Sequence, residues 1–388
     1  MTRHENNKLN RRRFVQWTAV GAAPAVLAGA GNPRARAEEP QPVSPTHTSP
    51  NPNAVRLATI QSRSNPHVKG LNTNPFSDQF RKGDLKKAVD GHLKWYEQLI
   101  AQAANDDCRL VVLTEDITRL SPVMTYLDDR SLFVDTVAWQ TDRVAERLAA
   151  SAKKHRLYIV ASYFAREGNR IFNVADLFGP KGDRIGRYRK VHLPEYELWQ
   201  VTAGDEFPAF DTDLGWIGML ICYDQMWPES AACCTMSGAQ IICQPSAAVL
   251  ADYHMKTRAV DNQVHFLSST SRNSRIVSPK ADVLADAGDG NPAIAWADCD
   301  IDGATKPADD FFWEHLYSGI KDHKERVLKF RRPDAYGRLV ESNPPLLEQY
   351  SAGGVANTPE EIERVYRIHK KMRQLQAAGK RVPYHWHY

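Results

Sequence analysis

The sequence predicts an α/β fold of buried sheets, on three observations. Short, nearly continuous apolar runs such as Leu110-Val111-Val112-Leu113 recur along the chain, and segments with helical spacing lie between them. The third is size, since 388 residues, 42% of them hydrophobic, can bury one large core or two modest ones. Runs rich in Val, Ile and Leu that alternate with helices mark sheets covered on both faces.

The first strand is Val55–Gln61, which alternates apolar and polar residues. Asp84 reads as an N-cap, ahead of Leu85, Val89, Leu93, Tyr96 and Ile100 at helical spacing. A second helix is expected over 143–155. Further strands are expected over 157–164, 171–178, 216–222, 241–244, 265–270 and 293–299, with helices near 228–237 and 253–263. No internal repeat is evident in the sequence.

Beyond residue 300 the pattern changes. Arg331-Arg332-Pro333 and Asn343-Pro344-Pro345 break the periodicity. Thr358-Pro359-Glu360-Glu361 then combines an N-cap, Pro at the first helical position and Glu at the third. Ile362, Val365, Ile368, Met372 and Leu375 form an apolar stripe, and Gly379 ends the helix. That stripe is expected to pack on the domain or on a second subunit.

The first 37 residues read as an export signal. They hold seven of the 50 basic residues and one of the 46 acidic ones, so the remainder is slightly acidic and gives no electrostatic case for nucleic-acid binding. Asn10-Arg11-Arg12-Arg13-Phe14-Val15 resembles a twin-arginine translocation signal, and Ala35-Arg36-Ala37 supplies a small-x-small cleavage pattern. The apolar run between them is short and rich in Ala and Gly, unlike the about twenty strongly apolar residues of a membrane span. A periplasmic or extracellular location is expected. The expected organisation is a signal peptide over 1–37, a Pro-rich linker over 38–54, a globular domain over 55–302 and a C-terminal arm and helix over 303–388.

Six cysteines are present, with no Cys-x-x-Cys pair and no Cys/His zinc spacing. Several sit in apolar runs, which suits buried thiols. The sequence lacks a phosphate-binding loop, a Gly-x-Ser-x-Gly elbow and a His-Glu-x-x-His pair. His385-Trp386-His387 reads as a packing tail, because two imidazoles alone make a weak metal site.

Three strand-end segments carry chemistry. Glu115 and Asp116 close the Leu110 run; Lys190, His192, Glu195 and Glu197 crowd one loop; and Cys222-Tyr223-Asp224 ends an apolar strand before Pro228-Glu229. Taken singly, such a Cys is most often a core residue, and Cys243 in Ile241-Ile242-Cys243-Gln244 is assigned to packing. Taken together and in this order, the segments resemble the nitrilase superfamily of carbon–nitrogen hydrolases. Arg189-Lys190-x-His192-Leu193, Phe207-x-x-Phe210 before Gly215-Trp216-Ile217-Gly218, and Arg258-Ala259-x-Asp261-Asn262 fit the same pattern. Thr114 departs from the Pro that usually precedes the base.

The resemblance implies a four-layer αββα sandwich, with a C-terminal helical extension here, and commonly a homodimer or higher homo-oligomer formed through helices near the Cys. It implies Cys222 as nucleophile, Glu115 as general base, and Lys190 with the backbone N–H of Tyr223 as oxyanion stabilisers. A second Glu is implied, assigned to Glu197 with Glu195 as runner-up. Trp199 and Trp227 are candidate substrate-binding walls. No metal or organic cofactor is implied, because the thiol carries the covalent step. The expected reaction is hydrolysis of a small amide or N-carbamoyl substrate; the alternatives are nitrile hydrolysis through a thioimidate and a non-catalytic binding protein. Glu195, Glu197 and Asp205 suggest a polar, acidic mouth suited to a substrate bearing a cation or several hydrogen-bond donors.

Overall fold

The computed structural model describes residues 51–248, 252–302, 322–342 and 358–380. The export signal, most of the Pro-rich linker and His385-Trp386-His387 lie outside them.

Two six-stranded sheets form the centre. The first contains β1 (Val55–Gln61), β2 (Leu110–Val112), β3 (Tyr158–Glu167), β4 (Arg170–Phe178), β5 (Arg184–Arg189) and β12 (Ala293–Cys299), in the order β12-β1-β2-β3-β4-β5. The second contains β6 (Ala209–Phe210), β7 (Ile217–Met219), β8 (Ile241–Pro245), β9 (His265–Ser269), β10 (Arg275–Val277) and β11 (Val283–Asp286), in the order β11-β10-β9-β8-β7-β6. Each sheet has a parallel centre, β1-β2-β3 or β7-β8-β9, flanked by antiparallel pairs. The two sheets thus share one pairing scheme that no sequence repeat announces.

Register sorts side chains into layers. Ala58, Val111 and Ile159 stand side by side and face α1 (Asp84–Asn105) and α3 (Arg130–His155). Leu57, Leu110 and Tyr158, one residue earlier on each strand, face the other sheet and meet Ile217, Met219, Ile241 and Leu267. This is the period-2 alternation of strands. Beyond the second sheet, Leu220, Ile242 and Phe266 pack against Ala231 and Cys234 of α4 (Pro228–Met236) and Met255 and Ala259 of α5 (Asp252–Asn262). The layers run helix, sheet, sheet, helix, as the resemblance implies.

Several boundaries differ from the sequence expectations. Asp84 is the first helical residue of α1, not its cap, and its carboxylate accepts from the Asn72 N–H at 3.1 Å. Helix α3 starts at Arg130, where Asp129 caps it, well before residue 143. The strand expected over 216–222 stops at Met219, and Cys222 opens a tight turn, Cys222–Met226. All six cysteines are free thiols. Cys243 lies fully buried between the sheets, as assigned.

A short helix α2 (Ser121–Met124) follows β2, and α6 (His323–Lys329) precedes the C-terminal helix α7 (Pro359–Ala377). Helix α7 has the expected capping box: the Thr358 hydroxyl accepts from the Glu361 N–H and the Glu361 carboxylate accepts from the Thr358 N–H. It packs on the domain, with Ile362 and Val365 of the expected stripe against the receiving surface. Tyr366 and His369 are buried and Ile368 is exposed, because the receiving surface is aromatic: Phe76, Tyr126, Tyr196 and Trp199. Among the described residues, no helix is long and apolar enough to cross a membrane.

Candidate active site

The site lies at the carboxyl ends of the central strands of both sheets, where β2 ends before Glu115, β7 before Cys222 and β8 before Ala247. Ligand sites in open α/β sheets gather at such strand ends. The loop after β5 supplies Lys190.

Lys190 is almost wholly buried and donates to Glu115 Oε1 at 2.9 Å and to Glu197 Oε1 at 2.8 Å. Glu115 is surrounded by donors, accepting also from Asn173 Nδ2 at 2.9 Å and from the Ala247 N–H at 2.8 Å. Burial alone would raise the Glu115 carboxyl, but the Lys190 charge and these donors hold it below its ordinary value. Glu197 has less support, since its Oε2 is buried without a hydrogen-bond partner among the described residues. Burial, with the Glu115 charge added, pushes it up to about 7 against the pull of Lys190. Burial disfavours the Lys190 ammonium, yet the two carboxylates keep it charged. The geometry separates Glu197 from Glu195, which is exposed and does not line the cavity.

Cys222 is half-buried, with backbone φ of +43°, a left-handed conformation that L side chains adopt at a cost. Gln244 Nε2 donates to its carbonyl at 3.0 Å. Burial pushes the thiol up to about 12, with Glu115 adding to the shift and Lys190, Ser246 and the Ala248 N–H opposing it. The resting group is a neutral thiol with an ionised carboxylate and an ammonium in electrostatic reach. Tyr223 follows as the second residue of the turn, where N–H groups have no carbonyl partner earlier in the turn.

Asp224 is fully buried and fastens the turn to the lysine loop. Its Oδ2 accepts from the Tyr188 hydroxyl at 2.7 Å and the Ile221 N–H at 2.9 Å, and its Oδ1 from the His192 N–H and ring Nδ1, both at 3.0 Å. Arg258 supports the other side by donating to the Gln225 carbonyl at 3.0 Å. Tyr96 and Thr114 share a hydrogen bond at the end of β2.

Glu115, Glu197 and Cys222 line one cavity of about 290 Å³, together with Arg63, Arg119, Tyr196 and Arg373. A larger hollow of about 640 Å³, beside Asn53, Asp213 and Asp302, has no cysteine, lysine or histidine in its lining. Neither candidate tryptophan lines the smaller cavity. Trp227 stacks on His192 with centroids 3.9 Å apart, and Trp199 packs edge-on against Tyr366 and His369 of α7. The expected acidic mouth is also corrected. Asp205 and Glu195 lie exposed outside the lining, Glu197 is held by Lys190, and the other charged side chains of the lining are Asp116 and three arginines, Arg63, Arg119 and Arg373.

The sequence reading missed Asn173, the Ala247 N–H and Arg373. For Asn173 there was a signal, a lone amide within the apolar run Ile171-Phe172-Asn173-Val174. For Arg373 there was none, because its helix lies far along the chain.

Comparison with known proteins identifies the family and supports the fold. A nitrilase of Pyrococcus abyssi is 30% identical over 218 residues, spanning 53% of this chain and 82% of the relative. An omega-amidase of Homo sapiens is 28% identical over 183 residues, spanning 40% of this chain and 66% of the relative. The crystal structure of a carbon–nitrogen hydrolase from Helicobacter pylori superposes with a TM-score of 0.57 at 21% identity, covering 74% of this chain and 98% of that one. The carbon–nitrogen hydrolase family model matches residues 79–306, more than half of the chain, so this protein belongs to the carbon–nitrogen hydrolase family.

Proposed function

We propose that this protein is an exported amidase that hydrolyses the amide or N-carbamoyl C–N bond of a small substrate through a Cys222 acyl-enzyme. The observation that carries the reading is one buried ammonium, Lys190, shared by Glu115 and Glu197 beside a thiol on the same cavity. In the reaction Glu115 takes the Cys222 proton as the sulfur attacks the carbonyl carbon. Negative charge moves to the carbonyl oxygen, where Lys190 Nζ and the Tyr223 N–H stabilise it. Glu115 returns the proton to the departing nitrogen, and ammonia or an amine leaves a thioester on Cys222. Glu115 then deprotonates a water that attacks the thioester, and the acid departs as the thiol regains its proton. Glu197 holds Lys190 in place throughout.

The omega-amidase relative favours the amide, and the nitrilase relative keeps nitriles as the second substrate class. A homodimer through α4 and α5 belongs to the same proposal, supported by Met236, Tyr253 and Val260 exposed on or beside those helices. Export rests on the twin-arginine-type motif and the Ala35-Arg36-Ala37 site. The deciding measurement is kcat/KM for ammonia release from matched amide, N-carbamoyl and nitrile substrates. Preference for the nitrile overturns the substrate class while leaving Cys222, Lys190 and Glu115 in their roles. An active Cys222→Ala protein overturns the mechanism.

A further inference from the structure

The C-terminal helix lies outside the stretch matched by the family model, yet it reaches the catalytic cavity. Helix α7 is anchored on the loop before α3. The Tyr366 hydroxyl donates to Asp128 Oδ1 at 3.1 Å, and Lys370 Nζ lies 2.5 Å from Asp128 Oδ2. Trp199 and Phe76 hold the same face through His369. One turn further on, Arg373 lines the cavity with Cys222, Glu115 and Glu197.

The charges around that cavity do not balance locally. Glu115 and Glu197 are both paired with Lys190. Asp116 is consumed by its own loop, accepting from the Leu120 and Ser121 N–H groups and the Ser121 hydroxyl. Asp116 acts on Arg119 only at longer range, and the three rim arginines make no hydrogen-bonded carboxylate pair among the described residues. Arg373 donates only to His369 Nε2 at 3.4 Å and Gln376 Oε1 at 3.3 Å, Arg119 to the Ser62 carbonyl at 2.7 Å, and Arg63 to the Asp289 carbonyl at 3.1 Å. None of the three is within ion-pair distance of a carboxylate among the described residues. Burial also disfavours the Arg373 cation, a cost that a bound anion would offset. Arginine forks match carboxylates in geometry as well as charge.

We propose that Arg373, brought over the cavity by α7 and assisted by Arg119, is a specificity-determining residue that selects substrates carrying a carboxylate remote from the scissile C–N bond. The carboxylate can belong to the acyl group, as in a monoamide of a short dicarboxylic acid, or to the nitrogen side, as in a carbamoyl amino acid. The proposal rests on the hydrolase reading of Cys222 and deepens it.

The test compares two matched pairs, succinamate with butyramide and N-carbamoyl-β-alanine with propylurea. The wild-type protein is expected to favour the charged member of at least one pair by about tenfold or more in kcat/KM, and the pair that shows it identifies the carboxylate's side. Arg373→Gln should reduce that ratio by about ten- to a hundredfold, with Arg373→Lys retaining part of it and Arg119→Gln serving as an independent variant. A purely structural role would lower both members together, so an unchanged ratio overturns the proposal, as does a wild-type preference for the neutral members. Calorimetric binding to the Cys222→Ala protein separates this idea from the chemistry. Tighter binding of the charged members, lost on adding Arg373→Gln, supports the arginine clamp even if no substrate is turned over, and equal binding of both members sinks it.

Discussion

Lys190 Nζ donates to Glu115 Oε1 at 2.9 Å, joining positions 75 residues apart in a contact almost closed to solvent. With Glu197 on its other side, the lysine bridges two carboxyls that would otherwise repel each other when ionised. Lys190→Met should therefore cost about 3–5 kcal/mol of stability near neutral pH, the usual penalty for stranding a buried charge. The loss should depend on pH with a definite sign. Without the ammonium both carboxyls rise above their unfolded values, so the folded variant binds more protons and its stability falls as pH increases. Denaturant midpoints at about pH 5 and about pH 8 check this. A variant that loses equal stability at both would mean that the lysine acts by packing alone.

Cys222 and Cys243 give an internal comparison. Cys222→Ala should abolish turnover with the fold intact, whereas Cys243→Ala should cost about 1 kcal/mol of stability and leave activity in place. An electrophilic probe should label Cys222 ahead of the buried Cys108, Cys234, Cys243 and Cys299. Cys233 is exposed and would compete, so the mapping belongs in a Cys233→Ser background. Preferential labelling of Cys243 would reverse the assignment.

Motif order made Glu115, Lys190 and Cys222 legible in the sequence, because Glu115 and Cys222 each end an apolar run, Lys190 lies in an Arg-Lys-x-His-Leu segment, and their residue types fit one reaction. The Thr358 cap was legible for a local reason, namely that capping depends on neighbouring residues. What escaped depends on tertiary contacts. Strand β5 looks like a charged loop, but Arg187 reaches Asp176 within the sheet at 2.6 Å, an ion pair that substitutes for apolar burial. The first half of α3 is interrupted by Thr136 and Gln140, yet both are buried, and Gln140 Nε2 donates to the Phe164 carbonyl at 2.9 Å. Ile368 looked like a core position and is exposed, since α7 meets an aromatic surface that only the folded domain assembles.

Glu197 sets a testable limit on the alkaline side of the activity profile. Its carboxyl is pushed up to about 7, so it ionises near neutral pH. Ionisation adds a second negative charge beside Lys190, weakening the field available to the oxyanion and holding the Cys222 proton more tightly. The wild-type kcat/KM should therefore fall as pH rises through about 7. Glu197→Gln should remove that step while retaining measurable turnover. A profile unchanged by the substitution would assign the limb to another group.

Export can be tested without reference to the catalytic site. Arg11→Lys combined with Arg12→Lys should retain the precursor in the cytoplasm, and the exported wild-type chain should begin near Glu38. Fractionation followed by N-terminal sequencing checks both. Met1 at the start of the extracytoplasmic protein would favour an anchored form.

Asp128 holds helix α7 by two contacts, the Tyr366 hydroxyl and the Lys370 ammonium. Burial opposes ionisation of its carboxyl, but those partners keep it below the ordinary value, so its anchoring is present at neutral pH and is lost as pH falls through the lowered value. The pair with Lys370 is about a third exposed on each side, so solvent screening limits it to less than about 1 kcal/mol. The buried ring of Tyr366, on Trp199 and Phe76, contributes the larger share. Asp128→Asn should therefore loosen α7 mildly, and Tyr366→Ala should release it, at about 3–5 kcal/mol of local stability. Hydrogen exchange over 359–377 measures the opening directly, and melting of the sheets should move much less. If α7 carries a side chain needed in the cavity, the two variants should also lose activity in the order of their exchange rates. Full activity in a Tyr366→Ala protein whose α7 exchanges freely would show that the helix serves stability alone.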